Sequence, residues 1–140
     1  MRSRSRSRQR ALQILFLCDF RRQSVEEAIK AYYGALYAEE RLTRDTFADD
    51  LAAGTKAAID EIDEQISKHA EHWRLDRMPT VDRNILRLAV YEMMHGGTPP
   101  AVAIDEALEL ARRFSNEESV QFINGVLDAV HRGMGQKLQA

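Results

Sequence analysis

Residues 80–95 read TVDRNILRLAVYEMMH. Placed on a helix, Ile85, Leu86, Leu88, Ala89, Val90, Tyr91, Met93 and Met94 cover nearly its whole circumference. A helix apolar all round must be enclosed by other elements, so this one belongs at the middle of a bundle. Thr80 can cap its start. Gly96-Gly97 stops it, and Pro99-Pro100 bars its continuation, because proline lacks the N–H a helix needs.

The neighbouring segments supply the enclosure. Downstream, a helix is expected from about Ala101 to Phe114, with Ile104, Ala107, Leu108 and Ala111 as its inner stripe. Glu109 and Arg113 stand four apart and can pair outside. Ser115-Asn116-Glu117-Glu118 spells a capping box, in which hydroxyl and carboxylate satisfy each other's orphan N–H groups. It opens a last helix whose stripe, Val120, Ile123, Leu127 and Val130, runs straight through Asn124-Gly125. That dipeptide normally marks a turn. An unbroken helix with a neighbour approaching Gly125 closely is the better reading. Upstream, Thr46-Phe47-Ala48-Asp49 reads as a box opening one long amphipathic run through Leu51, Ala58, Ile62 and Ile66. Ser24-Val25-Glu26-Glu27 reads as another, before Ile29, Tyr32 and Tyr33. No segment alternates like a strand and no internal repeat is visible. With 140 residues and 44% hydrophobic content, one all-α domain is expected.

Charge is segregated. MRSRSRSRQR holds five arginines and no acid, and the other 130 residues carry 15 basic against 22 acidic side chains. The expected organisation is an Arg-rich flexible arm over 1–10 and a helical domain over 11–140. Three readings of the arm compete. A targeting peptide should be amphipathic, yet after Met1 no apolar residue occurs until Ala11. A solvated tail accounts for the composition. A nucleic-acid arm accounts for the arginine in particular, since its planar fork grips phosphate and stacks on bases. No apolar run approaches the ~18 residues that span a bilayer. The single cysteine, Cys18, excludes an internal disulfide and points to a reducing, cytoplasmic setting.

Catalytic chemistry finds little support. His69 and His72, with Glu71 or His95, follow no recognised metal-ligand spacing. Gly96-Gly97 lacks a phosphate-loop pattern. The carboxylates of Asp49-Asp50 and Glu117-Glu118 are adjacent and diverge on a helix. No catalytic residue, metal or cofactor is expected.

VDRNILRLAVYEM, then PPAVAIDEALELARRFSNEESVQFINGVLDAV, resembles the bacterial transcription antitermination factor NusB, and FINGVLD is the most specific part. RQRALQILF is similar to that family's opening Arg-rich helix. The likeness is strong over Val81–Val130, moderate over Arg6–Asp19, and only helical in pattern between. It departs at Gln9, where the family usually has Glu, and at Asp105, where Asn is frequent. The resemblance implies six to seven helices in two small packed bundles and no catalysis. It implies binding to the boxA element of ribosomal RNA transcripts together with the ribosomal protein NusE. That complex joins other Nus factors on RNA polymerase.

Residue by residue, the resemblance places Phe122 and Glu118 at the RNA surface and Asp82 in the NusE contact. The segregated charge makes Arg4, Arg6, Arg8 and Arg10 the expected RNA-binding arm. Helical spacing agrees for Phe122. It lies about 100° off the stripe of Ile123, Val126, Leu127 and Val130, where an aromatic can face a splayed base. A peripheral core position is the plainer reading of Phe122. Glu118 can accept from base edges or complete the box with Ser115, and Asp82 is favourable to its helix dipole in any case. Two other classes stay in view. One is a protein-interaction bundle or homodimer that masks its own arm. The other is a fragment of an RNA cytosine methyltransferase, some of which carry such a domain before the catalytic part.

Overall fold

The computed structural model describes residues 3–40, 44–71 and 73–139. Seven α-helices occur among them: α1 Arg4–Arg21, α2 Val25–Glu40, α3 Thr46–Ala57, α4 Ile59–His69, α5 Thr80–Met94, α6 Pro100–Phe114 and α7 Glu117–Gln139, with a short 3-10 turn at Leu75–Arg77 before α5. No strand occurs among the described residues. The central element is α5, which packs on α1, α3, α4, α6 and α7. Ile85, Leu86, Leu88, Ala89 and Val90 are all buried. Burying each of the Ile, Leu and Val side chains is worth about 1.5–3 kcal/mol. Helices α1 to α3 form one bundle and α4 to α7 the other, with α5 shared between them.

Local capping chemistry holds at the start of α2 and is displaced at the starts of α3, α5 and α7. Ser24 and Glu27 form the expected box, the Glu27 N–H donating to Ser24 Oγ at 3.1 Å and the Ser24 N–H to Glu27 Oε1 at 3.3 Å. At α3 the cap is Asp45, one residue before Thr46, accepting from the Ala48 N–H. At α7 it is Asn116, accepting from the Ser119 N–H at 2.8 Å. At α5 no side chain caps the end. The long run expected from Thr46 breaks at Ala58 (φ −102°, ψ 19°). The break falls where one packing partner changes: α3 lies on α1 and α5, and α4 lies on α5 and α7. Glu109 pairs with Arg112 rather than Arg113, because Arg113 reaches back to Gln9 at 3.2 Å.

The expected boundary at residue 10 is not found. Ser3 caps α1 by accepting from the Arg6 N–H, and residues 4–10 are its first turns. Ser7, Arg8 and Arg10 are buried. Arg8 forks onto Glu92 of α5, Nη2 at 2.7 Å and Nε at 2.9 Å, and Thr98 donates to the same carboxylate. Ser7 and Arg10 donate to Asp45 at 2.7 and 2.8 Å. Burial alone would raise the Asp45 pKa. The bonds from Ser7, the Ala48 N–H and Arg10 outweigh it and hold the carboxyl below its ordinary value. Acids placed elsewhere in the chain thus fix the first turns of an arginine-rich helix to the core. Met1 and Arg2 lie outside the described residues.

Candidate nucleic-acid interface

Helix α7 faces as its periodicity predicts. Ile123, Val126, Leu127 and Val130 are buried, and Phe122 is half-buried on the flank. The helix runs unbroken through Asn124-Gly125. The expected close neighbour at Gly125 is absent, since a Cβ there would meet nothing within 4 Å among the described residues. Close approach occurs instead at Gly54 of α3, where an added Cβ would overlap the Tyr91 ring, and further along α7 at Gly133, where it would meet the His69 ring.

Phe122 does not stand alone. Trp73, on the loop between α4 and the 3-10 turn, packs on it with ring centroids 5.4 Å apart and planes at 59°. The Trp73 side remains 58% exposed. The pair walls a cleft of about 220 Å³, whose other sides include Met78, Pro79, Asp82, Asn116 and Glu118. Glu118 is exposed and makes no hydrogen bond or ion pair among the described residues. The box with Ser115 does not form, because the Ser115 hydroxyl donates to Asp82 instead. Glu118 is therefore free to accept from a ligand. Two aromatic rings beside a free carboxylate and an amide suit a planar, hydrogen-bonding ligand such as a base.

Asp82 is not the exposed acid that a direct protein contact requires. It is 3% exposed and accepts from Ser115 Oγ at 2.8 Å and Ser119 Oγ at 2.6 Å. It ties the start of α5 to the α6–α7 link. On the far side of that tie lies a second, more apolar cleft of about 310 Å³, lined by Leu12, Gln13, Phe16, Leu17, Tyr32, Val81 and Phe114. Beside it Phe20 stacks on Phe16 at 5.6 Å and is 72% exposed. Val81 faces this cleft and Asp82 the Phe122 cleft, so adjacent residues of α5 serve the two.

The four arginines divide. Arg8 and Arg10 are committed to Glu92 and Asp45. Arg4 is exposed and lies over the Phe47 ring at 3.8 Å. The Arg6 guanidinium is exposed and meets no partner among the described residues. The structure does not gather these side chains around Phe122: α1 packs on α2, α3, α5 and α6, whereas α7 packs on α4, α5 and α6. Trp73 was missed in the sequence. Its available signal was WRLDR, an aromatic set among arginines just before a helix.

His69 ends α4 against Gly133, and His72 lies outside the described residues. Among those described, no three His, Cys, Asp or Glu side chains are grouped to hold a metal ion, and no helix is long and apolar enough to cross a membrane. Burial pushes the Cys18 thiol up, away from the reactive thiolate.

Comparison with known proteins gives a consistent result. The NusB family matches residues 5–132. The transcription antitermination protein NusB of Solibacter usitatus is 67% identical over 134 residues, covering 96% of this chain and 92% of that protein. A crystal form of Thermotoga (T. maritima) NusB superimposes with a TM-score of 0.81 at 35% identity, over 94% of this chain and 92% of the other. A crystal structure of the antitermination factors NusB and NusE in complex with dsRNA gives 0.79 at 27% identity, over 93% and 96%.

Proposed function

The chain belongs to the NusB family of transcription antitermination proteins, which are RNA-binding factors and not enzymes, and on that premise we propose that it binds boxA RNA of ribosomal RNA transcripts together with NusE. The observation that carries this reading is the cleft at the start of α7, with Phe122 and Trp73 in contact and Glu118 unpaired beside them. A base stacks on the ring pair while Glu118 accepts from an exocyclic amino group. Arg4 and Arg6 hold phosphates at the start of α1, and Arg113, joined to Gln9 at 3.2 Å, continues the cationic surface along α6. NusE occupies the apolar cleft around Phe16, Phe20 and Phe114. Asp82 acts on NusE indirectly, by holding the wall between the two clefts. With both ligands bound, the protein joins the other Nus factors on RNA polymerase.

A single titration series tests this. Fluorescently labelled boxA RNA should bind the full chain, and Phe122→Ala should weaken binding by about 5- to 150-fold, the worth of one stacked base. Ile123→Ala, one residue on and fully buried, should instead lose about 2–5 kcal/mol of stability. Phe20→Glu should impair NusE capture and leave RNA affinity of the isolated chain unchanged. Equal loss of folding in the Phe122 and Ile123 variants, or wild-type RNA affinity in Phe122→Ala, would overturn the placement of RNA on α7. Undiminished NusE capture by Phe20→Glu would remove the apolar cleft as its seat. A homodimer formed through the apolar cleft would appear as a concentration-dependent mass that Phe20→Glu abolishes.

A further inference from the structure

Trp73 borders two clefts. One face meets Phe122 in the cleft described above. A second cleft of about 640 Å³ also has Trp73 in its lining, together with Ser67, Glu71 and Arg74. A large aromatic ring left 58% exposed keeps apolar surface in water, which a stacked ligand would cover. No acceptor meets its indole N–H among the described residues. Two arginines follow it, Arg74 next to it in the same cleft lining and Arg77 at the end of the 3-10 turn. Arg74 pairs with Asp76 at 3.0 Å, both well exposed, and such a surface pair exchanges readily for a phosphate. The Arg77 guanidinium is exposed with no partner among the described residues.

We propose that Trp73 is a second stacking platform for single-stranded RNA, dividing the strand's path so that neighbouring bases occupy the two clefts. Arg74 and Arg77 meet the phosphates that pass over the turn. Alternating aromatic and cationic side chains is the arrangement that binds single strands through base faces and backbone charge. The carboxylates in both clefts keep phosphates off the floors and leave them to the rim. The proposal rests on the RNA reading above and extends its footprint by one base.

Trp73 is the only tryptophan in the chain, so its fluorescence reports on this position directly. The full chain is titrated with unlabelled single-stranded boxA RNA extended by two nucleotides at either end. Binding is followed in parallel by anisotropy of labelled RNA. One extended strand should quench Trp73 strongly. An abasic residue stepped along that strand should relieve the quenching at one position and weaken wild-type binding there by about 5- to 150-fold. Trp73→Ala should bind the intact and abasic strands alike, and Trp73→Phe should recover most of the discrimination. Discrimination that persists in Trp73→Ala overturns this proposal and leaves the Phe122 site standing, whereas RNA that binds by anisotropy without quenching Trp73 overturns both the ring-pair stacking and this proposal. Absence of any RNA binding overturns the RNA reading and this proposal with it.

Discussion

Arg6 and Arg8 are two residues apart in a stretch that looks uniform, and they do opposite things. Arg8 is 5% exposed and shares Glu92 with Thr98, so its loss leaves a buried carboxylate without its countercharge. Arg8→Ala should lower the unfolding free energy by about 3–5 kcal/mol. Arg6→Ala should change it by no more than about 0.5 kcal/mol. In RNA binding, Arg6→Ala should reduce the salt slope by about 0.7, the value for one phosphate on a single strand. Urea unfolding and salt titration of both variants check the division. Asp45 adds a pH dependence. Its folded pKa lies below the ordinary carboxylate value, so its contribution is fully present above that value. It is lost as pH falls through the lowered folded pKa. Asp45→Asn should be less stable near neutrality and should show a shallower decline in stability on acidification, as thermal midpoints measured across that range would reveal.

Gly54 of α3 and Gly125 of α7 are both interior to their helices, with different consequences. Gly125 lies on the exposed side of α7 in open space, so it contributes only the cost of glycine in a helix. Gly125→Ala should stabilise the protein by up to about 1 kcal/mol. Gly54 has the Tyr91 ring over it. Gly54→Ala should destabilise by about 1–3 kcal/mol, since the ring must leave its place in the packing. Calorimetry on the two single variants would separate them, and equal effects would contradict this assignment. The same elements show what the sequence could convey. The stripe Val120–Val130 runs through Asn124-Gly125 because helical periodicity over several turns outweighs one turn-prone dipeptide. The break at Ala58 was invisible because nothing local forces it; it reflects a change of partner from α1 to α7, with α5 kept by both helices. The box of Ser115 and Glu118 failed for a related reason. Asp82, 33 residues away, takes the hydroxyl, and a local pattern carries no notice of a distant competitor.

At the scale of the whole molecule, α5 was legible because a stretch apolar on all sides has one stable place, the middle. The two-bundle arrangement followed from the family likeness, and the flank position of Phe122 from helical periodicity. The fate of the arginines was not legible. Composition separates five cations from the acids in sequence, while folding brings Asp45 and Glu92 back to Arg10 and Arg8. Net charge along a chain therefore misstates the charge left at the surface. It also hid Trp73, which gains its meaning only once α7 sets Phe122 beneath it. The protein has two faces, an aromatic cleft and an apolar one, which our proposal assigns to RNA and to a protein partner, and they share the wall that Val81, Asp82 and the α6–α7 link provide. The most direct test is a nuclear magnetic resonance titration of the isotope-labelled full chain with boxA RNA. The amides of Asn116 to Phe122 and the single indole N–H should shift first and furthest, with the Arg6 region following. Shifts concentrated instead around Leu12, Phe16 and Phe114, with α7 unmoved, would contradict the assignment of the RNA face.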